Sequence, residues 1–277
     1  MTTDNGPLFC STALAERIER GEAELITTAT EAAHLRAGTA GFVIPVAGGA
    51  ACFAEDGSPM NKVVGVGFHG VPSGEDLDAI EQEFASHGVD TLVELANLAD
   101  PEIGAVLTAR GYRLVSFENV LGRSLHDEPQ PVTPPGVEVR LSDDHTAWLD
   151  VVVGGFAHPD AEGVPSHEEF PRTIVENAVS DVEKAGATPY LAFCDGVVAG
   201  GGSMRMSDGV AQLTGAATAP SYRRRGVQTA LLSVRLADAA RGGCDLAVVT
   251  TQPGSKSQQN VQRRGFHLLY TRAVLVK

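Results

Sequence analysis

Two stretches 154 residues apart share one pattern, and that repeat limits the folds open to the chain. ARGYRLVSFENVLGR (Ala109–Arg123) aligns with RRGFHLLYTRAVLVK (Arg263–Lys277), so that Arg110-Gly111-Tyr112 falls on Arg264-Gly265-Phe266. The same offset, without a gap, sets Gly88 on Gly242, both closing an amphipathic helix, and Leu92 on Leu246, both opening an apolar strand. Identity is low, yet matched helix ends, strands and turn point to a duplicated unit. Between the copies runs SLHDEPQPVTPPG (Ser124–Gly136), with four prolines and no apolar periodicity, which reads as a linker. The chain is therefore expected to divide into 1–125, a proline-rich linker at 126–136, and 137–277.

Apolar spacing and turn residues predict, in the first half, a helix over 12–36, strands at 42–54 and 62–68, a helix over 75–86, a strand at 91–96, a helix over 101–110 and a strand at 112–122. In the second half they predict a strand at 137–141, helical segments at 144–156 and 167–185, and strands at 189–194, 197–206 and 210–218. A helix over 227–241, a strand at 246–251, a helix over 257–264 and a strand at 266–276 complete it.

An apolar fraction of 43% with 20% charged residues can fill real cores and argues against global disorder. Four scattered cysteines, with no CxxC and no metal-ligand spacing, read as buried reduced thiols of a cytoplasmic protein, and no metal is expected. The start carries no basic segment followed by an apolar one, and the most apolar run, GFVIPVAGGAACFA, is short and glycine-rich, so no membrane association is expected.

The net charge of −14 is unevenly spread: Pro220–Lys277 holds ten basic and two acidic residues, and the rest of the chain 11 and 33. Such asymmetry points to an anionic partner near the C-terminal end. The acidic remainder and the few aromatics argue against nucleic acid and for a small anion.

The basic excess is concentrated in YRRRGVQTALL (Tyr222–Leu232), between a predicted strand and a predicted helix. The first four N–H groups of a helix lack intrahelical partners, and the helix dipole adds positive charge there. A loop that feeds such an end is a natural phosphate site. Gly226 permits close backbone approach, and Arg223, Arg224 and Arg225 add forked donors. No Walker A pattern is present.

In these residues the chain resembles the GNAT superfamily of acyl-CoA-dependent N-acetyltransferases, whose pyrophosphate segment reads [QR]-x-x-G-x-[GA]. Arg223, Arg224, Arg225, Gly226 and Val227 match it, whereas Gln228 replaces the usual small residue. SQQNVQRRGF (Ser257–Phe266) resembles the family's following helix, with Val261 in the slot where a thiolate-protonating tyrosine is common and Asn260 beside it. The resemblance covers about the last 140 residues. It implies an α/β (α+β) fold of two GNAT-like halves, each a mixed, mostly antiparallel sheet flanked by helices. It also implies acetyl-CoA, as cosubstrate, in a wedge between strands 210–218 and 246–251. Ala216, Ala217 and Thr218 would pair with the pantetheine; Arg224 to Thr229, Gln228 included, would cradle the pyrophosphate; and Ser257 and Asn260 would reach the cofactor.

The implied reaction is acetyl transfer to a primary amine by direct attack. Its usual glutamate base is missing from VAQLTGAAT, where Gln212 and Thr214 cannot take a proton at neutral pH. His158, Glu168 and Glu169 are the candidates for a base acting through water, and Tyr270 for the acid. An acidic first half favours a cationic acceptor. The alternative is an acyl-CoA-binding sensor or scaffold without turnover.

Gly65-x-Gly67-x-x-Gly70 matches a dinucleotide fingerprint, but Pro72-Ser73-Gly74 separates it from the next helix. By the 154-residue offset, His69–Gly74 is the twin of the arginine loop; it has no arginine and is followed by Glu75 and Asp76, which would repel a pyrophosphate. The first half is thus expected to lack a cofactor loop and to shape the acceptor pocket or hold a homodimer.

Overall fold

The computed structural model of the protein describes residues 8–38, 41–127, 129–158 and 169–277. The first half comprises α1 (Thr12–Ala37), β1 (Phe42–Val46), β2 (Gly49–Phe53), β3 (Lys62–Val64), α2 (Gly74–Ser86), β4 (Leu92–Ala96), α3 (Pro101–Ala109) and β5 (Arg113–Ser124). The second comprises β6 (Val137–Leu141), α4 (His145–Phe156), α5 (Arg172–Lys184), β7 (Thr188–Cys194), β8 (Val197–Ser207), β9 (Val210–Thr218), α6 (Val227–Arg241), β10 (Leu246–Thr251), α7 (Lys256–Gln262) and β11 (His267–Val276).

Local chemistry sets these limits. Ser11 caps α1 by accepting from the Leu14 amide, and Gly38 ends it in the left-handed region. Ser73 and Asp76 form a capping box at α2. The strand predicted over 42–54 is a hairpin, because Ala47 and Gly48 both take positive φ, as a tight two-residue turn requires. The strand predicted to reach 68 stops at Val64, since Gly65 and Gly67 leave the extended region. The helical segment predicted from 167 starts as α5 at Arg172, with Pro171 as N-cap.

All eleven strands join in one mixed sheet, in the order β1-β2-β3-β4-β11-β5-β10-β9-β8-β7-β6. Among the described residues, only β3–β4 and β9–β10 are parallel pairs. The two halves exchange their last strands: β5 pairs with β10 of the second half, β11 pairs with β4 of the first, and β5 and β11 pair with each other in the middle. One face is covered by α2 and α3 over the first half and by α6 and α7 over the second, each burying its own apolar cluster. The other face carries α1, α4 and α5, with α1 crossing from Val210 and Val248 of the second half to Ala50 and Cys52 of the first. No described helix is long and apolar enough to cross a membrane. Cys52, Cys194 and Cys244 are buried thiols, and Cys10 is half-buried.

Candidate acyl-CoA site

β9 and β10 run in parallel for three residue pairs and then part. Their register is Val210 with Leu246, Ala211 with Ala247 and Gln212 with Val248, and the remainder of β9, Leu213 to Thr218, has no strand partner on that side. The parting follows from a bulge. β8 and β9 pair Gly201 with Ala217 and Ser203 with Thr214, so Gly202 faces two residues, Gly215 and Ala216, and Gly215 takes a φ of +33°. An extra residue in one strand bends it and sharpens its twist. α4 lies against the bent part, where a Cβ on Gly155 would come within 2.4 Å of the Ala217 Cβ.

The chain then turns through Pro220–Tyr222 into the arginine loop. Arg224 has φ +60° and Gly226 +85°, and Gly226 caps α6 without a side-chain bond. Among the described residues, no backbone or side-chain acceptor takes a bond from the amides of Arg224 through Thr229, and the next amide, of Ala230, bonds to the Gly226 carbonyl. Six such amides at one helix entrance, with left-handed backbone at Arg224 and Gly226, are donors of the kind that can hold an anion. Two of the three arginines are tied to protein groups. Arg223 donates to the His158 carbonyl, and Arg225 to Asp195 at 2.6 Å, in an exposed pair of modest worth. Arg224 is exposed.

The strand ends bordering the parting hold polar atoms without partners among the described residues: Thr218 Oγ1 on β9, Thr251 Oγ1 on β10, and Gln252 Oε1 just beyond. Buried polar atoms are rarely left unpaired in native structures, and their presence here fits a ligand that offers amide groups. Sequence reasoning missed Thr251 and Gln252; their only signal is the polar TTQ that closes the apolar run of β10. Ser257 and Asn260 both lie on α7, exposed and half-buried respectively.

The residues expected to handle protons are dispersed. Tyr270 is not at the wedge: it lies on β11, two strands from β10's far edge, buried, with its hydroxyl donating to Glu19 at 2.6 Å. Residues on β11 alternate between faces, and its partner Val120 directs it under α1. His158 donates from Nδ1 to the Gly154 carbonyl, Glu169 is exposed, and Glu168 lies outside the described residues. Gln212 is committed as well, accepting from Arg205 at 2.9 Å and donating to Glu22 at 3.4 Å, while Thr214 bonds Ser203 at 2.8 Å.

A carboxylate does stand on the α1-covered face next to β10, and it comes from the first half. Val120 pairs with Thr250 and clusters with Val210, Val248 and α1, so Glu118, two residues along β5, shares that face, one residue beyond the last β5–β10 pair, Asn119 with Thr251. Around it are Glu94 on β4, Lys62 on β3, Arg272 on β11 and Glu22 on α1. Burial, then Glu94, push its carboxyl up to about 7, although Lys62 and Arg272 pull the other way. Its side chain keeps 21% of its surface open. A carboxyl raised by burial toward neutrality is suited, in its ionised form, to take a proton.

The glycines of the dinucleotide-like motif have a packing role. A Cβ on Gly65 would come to 2.9 Å of Ala23, and one on Gly67 to 2.5 Å of Ile103. The Gly67 carbonyl accepts from the Asp100 amide, so the place matching the wedge is closed in the first half, and β3 ends one residue after its single pair with β4.

A large mixed sheet flanked by helices, with a parallel pair that splays at a bulge and leads into an amide-rich helix entrance, is a GNAT-type fold. Residues 156–266 match the family model described as "Acetyltransferase (GNAT) family", and this part of the chain is a GNAT acetyltransferase domain. A comparison with curated protein sequences returns no match. Among solved structures, a GCN5-related N-acetyltransferase from Kribbella flavida is 20% identical, with a TM-score of 0.64 over 92% of this chain and 95% of that one. A tandem GNAT protein from the clavulanic acid biosynthesis pathway is 14% identical, with a TM-score of 0.55 over 73% of this chain and 68% of that one. A GCN5-related N-acetyltransferase from Sphaerobacter thermophilus is 19% identical, with a TM-score of 0.54 over 73% of this chain; the match spans 66% of that protein, just under two thirds. At these identities the likeness is one of fold.

Proposed function

We propose that the protein is an N-acetyltransferase that moves an acetyl group from acetyl-CoA to a primary amine of a small molecule or peptide by direct attack. The observation that carries this reading is the row of unbonded amides from Arg224 to Thr229 at the mouth of the splayed β9–β10 pair. Those amides and the Arg224 guanidinium would hold the diphosphate. The free edge at Ala216, Ala217 and Thr218, with Thr251 and Gln252 opposite, would hold the pantetheine arm. Acetyl-CoA supplies the acyl group activated as a thioester. Glu118, through water, would take the proton an ammonium must lose before it can attack, and Glu118 and Glu22 would favour a cationic acceptor. The division into 1–125, 126–136 and 137–277 belongs to this proposal, as do a cytoplasmic location and an acceptor wall built by the first half.

The described residues of β9 beyond Gln212 include no titratable side chain, and Tyr270 is committed to Glu19. Those two facts favour a second reading, an acyl-CoA sensor without turnover. Calorimetric titration with acetyl-CoA, followed by thiol detection of released CoA with spermidine, lysine methyl ester and a peptide N-terminus, separates the two. Binding with release supports transfer, and binding without release from any amine supports the sensor. Absence of binding removes both.

A further inference from the structure

Arg235 is the least accommodated charge in the second half. It lies on α6 and is 2% exposed, and among the described residues no carboxylate pairs with it. Burial pulls it down to about 10, so it stays charged at neutral pH. A cation without a counter-ion is costly to bury and persists only where carbonyl oxygens surround it. Here Nε donates to the Leu231 carbonyl at 3.1 Å, and Nη1 to the carbonyls of Ser203 at 2.9 Å and Thr214 at 3.4 Å.

The last two acceptors are a significant pair. Ser203 and Thr214 are the register partners at which the β8–β9 ladder resumes after its slip. The guanidinium fills the space under the slip: a Cβ on Gly202 would lie 3.2 Å from its Cζ and 3.2 Å from the Ala216 Cβ. Trp148 donates its indole N–H to the Gly202 carbonyl at 3.2 Å. The bulge is therefore fastened through the carbonyls of Gly202 and Ser203 on β8 and Thr214 on β9, and it follows closely on Gln212, the last residue of β9 paired to β10.

We propose that Arg235 is a positioning residue of this site: by clamping the carbonyls of Ser203 and Thr214 it fixes the bulge at Gly215–Ala216 and so holds β9 splayed from β10. A side chain that merely filled the volume would leave the strand free to slip by one residue, which would turn over the faces of Gly215 to Thr218. The charge on the Thr214 carbonyl also polarises the peptide link to Gly215, strengthening its N–H as a donor. That the wedge receives acetyl-CoA rests on the proposed function; the clamp itself does not.

The experiment compares the full-length protein with Arg235→Met and Arg235→Lys, each checked for folding by circular dichroism. Hydrogen exchange of residues 210–218 and calorimetric titration with acetyl-CoA are the readouts. Loss of two charge-assisted bonds should speed exchange at 213–218 and weaken acetyl-CoA binding, each about tenfold or more in the Met variant. The Lys variant, which keeps the charge but not the fork, should fall between, and it alone decides if the Met variant does not fold. Unchanged exchange and unchanged affinity in a folded variant would overturn the clamp. Faster exchange in a protein whose wild type binds no acetyl-CoA would uphold the clamp and reject the proposed ligand.

Discussion

Glu118 and Arg272 are register partners across β5 and β11, with Arg272 Nη1 3.8 Å from Glu118 Oε2. Their numbers differ by 154, the offset at which the sequence patterns of the two halves align, so that alignment sets one on the other with opposite charges. Arg272 also binds Glu19 at 2.8 Å, and both side chains are 2% exposed, so the centre of the sheet holds charges that only the exchanged strands bring together.

The raised Glu118 carboxyl predicts a pH profile. Only its ionised form accepts a proton, so kcat/KM should rise as pH passes about 7 and level off above. E118Q should flatten that limb and lower kcat while leaving acetyl-CoA affinity unchanged. The same group has a stability signature of opposite sense. The folded protein keeps this proton above the ordinary 4.5 of a glutamate, so the contribution of Glu118 to stability falls between about 4.5 and about 7 as pH rises. Urea titrations of wild type and E118Q across that window should show the loss in wild type alone.

Removing Arg272 should cost more than removing any surface charge. Arg272→Met strands Glu19 in a buried site, and breaking a buried pair from one side costs about 3–5 kcal/mol. Urea denaturation should register that loss, and a value below about 1 kcal/mol, typical of exposed pairs, would show that Glu19 simply takes up a proton.

The arginine loop should respond differently from its twin. Gly226→Ala combines a disfavoured φ of +85° with a Cβ 2.7 Å from Pro134 Cγ, and Arg224→Ala removes an exposed cation at the helix entrance. Each should weaken acetyl-CoA binding by roughly tenfold, the scale of one charge-assisted bond, and R224A should also reduce its salt dependence. His69→Ala, in the matching loop of the first half, should leave the titration unchanged.

Strand exchange predicts that neither half folds alone. Fragments 1–127 and 129–277 would each expose unpaired edges on β4 or β10 and on β5 or β11, and such edges aggregate. Co-expressed, they should co-purify as one complex with native circular dichroism. A soluble, cooperatively unfolding 129–277 fragment would contradict this.

Gly67→Ala should destabilise the protein by about 1–3 kcal/mol, because a methyl there meets Ile103 at 2.5 Å and φ is +96°. Acetyl-CoA affinity should not change, which calorimetry at a temperature well below unfolding can verify.

The order of elements and the place of the arginine loop at a helix entrance were legible in the sequence because each is a local matter. Caps such as Ser73, glycines at Gly111 and Gly265, and strand periodicity act over a few residues and leave their mark there. The loop was readable because helix entrance, glycine and charge lie within YRRRGV. What the tertiary structure decided concerns pairings between distant strands. No local pattern says that β5 lies between β10 and β11, that Glu118 reaches the second half, or that Tyr270 turns under α1 to Glu19. Nor does it say that Arg235, in an ordinary helical stretch, ends beneath the β8–β9 bulge, bonded to the carbonyl of Thr214 21 residues away in sequence. Those outcomes depend on how a whole sheet closes its edges and pairs its buried charges, and that balance exists only once the chain has folded.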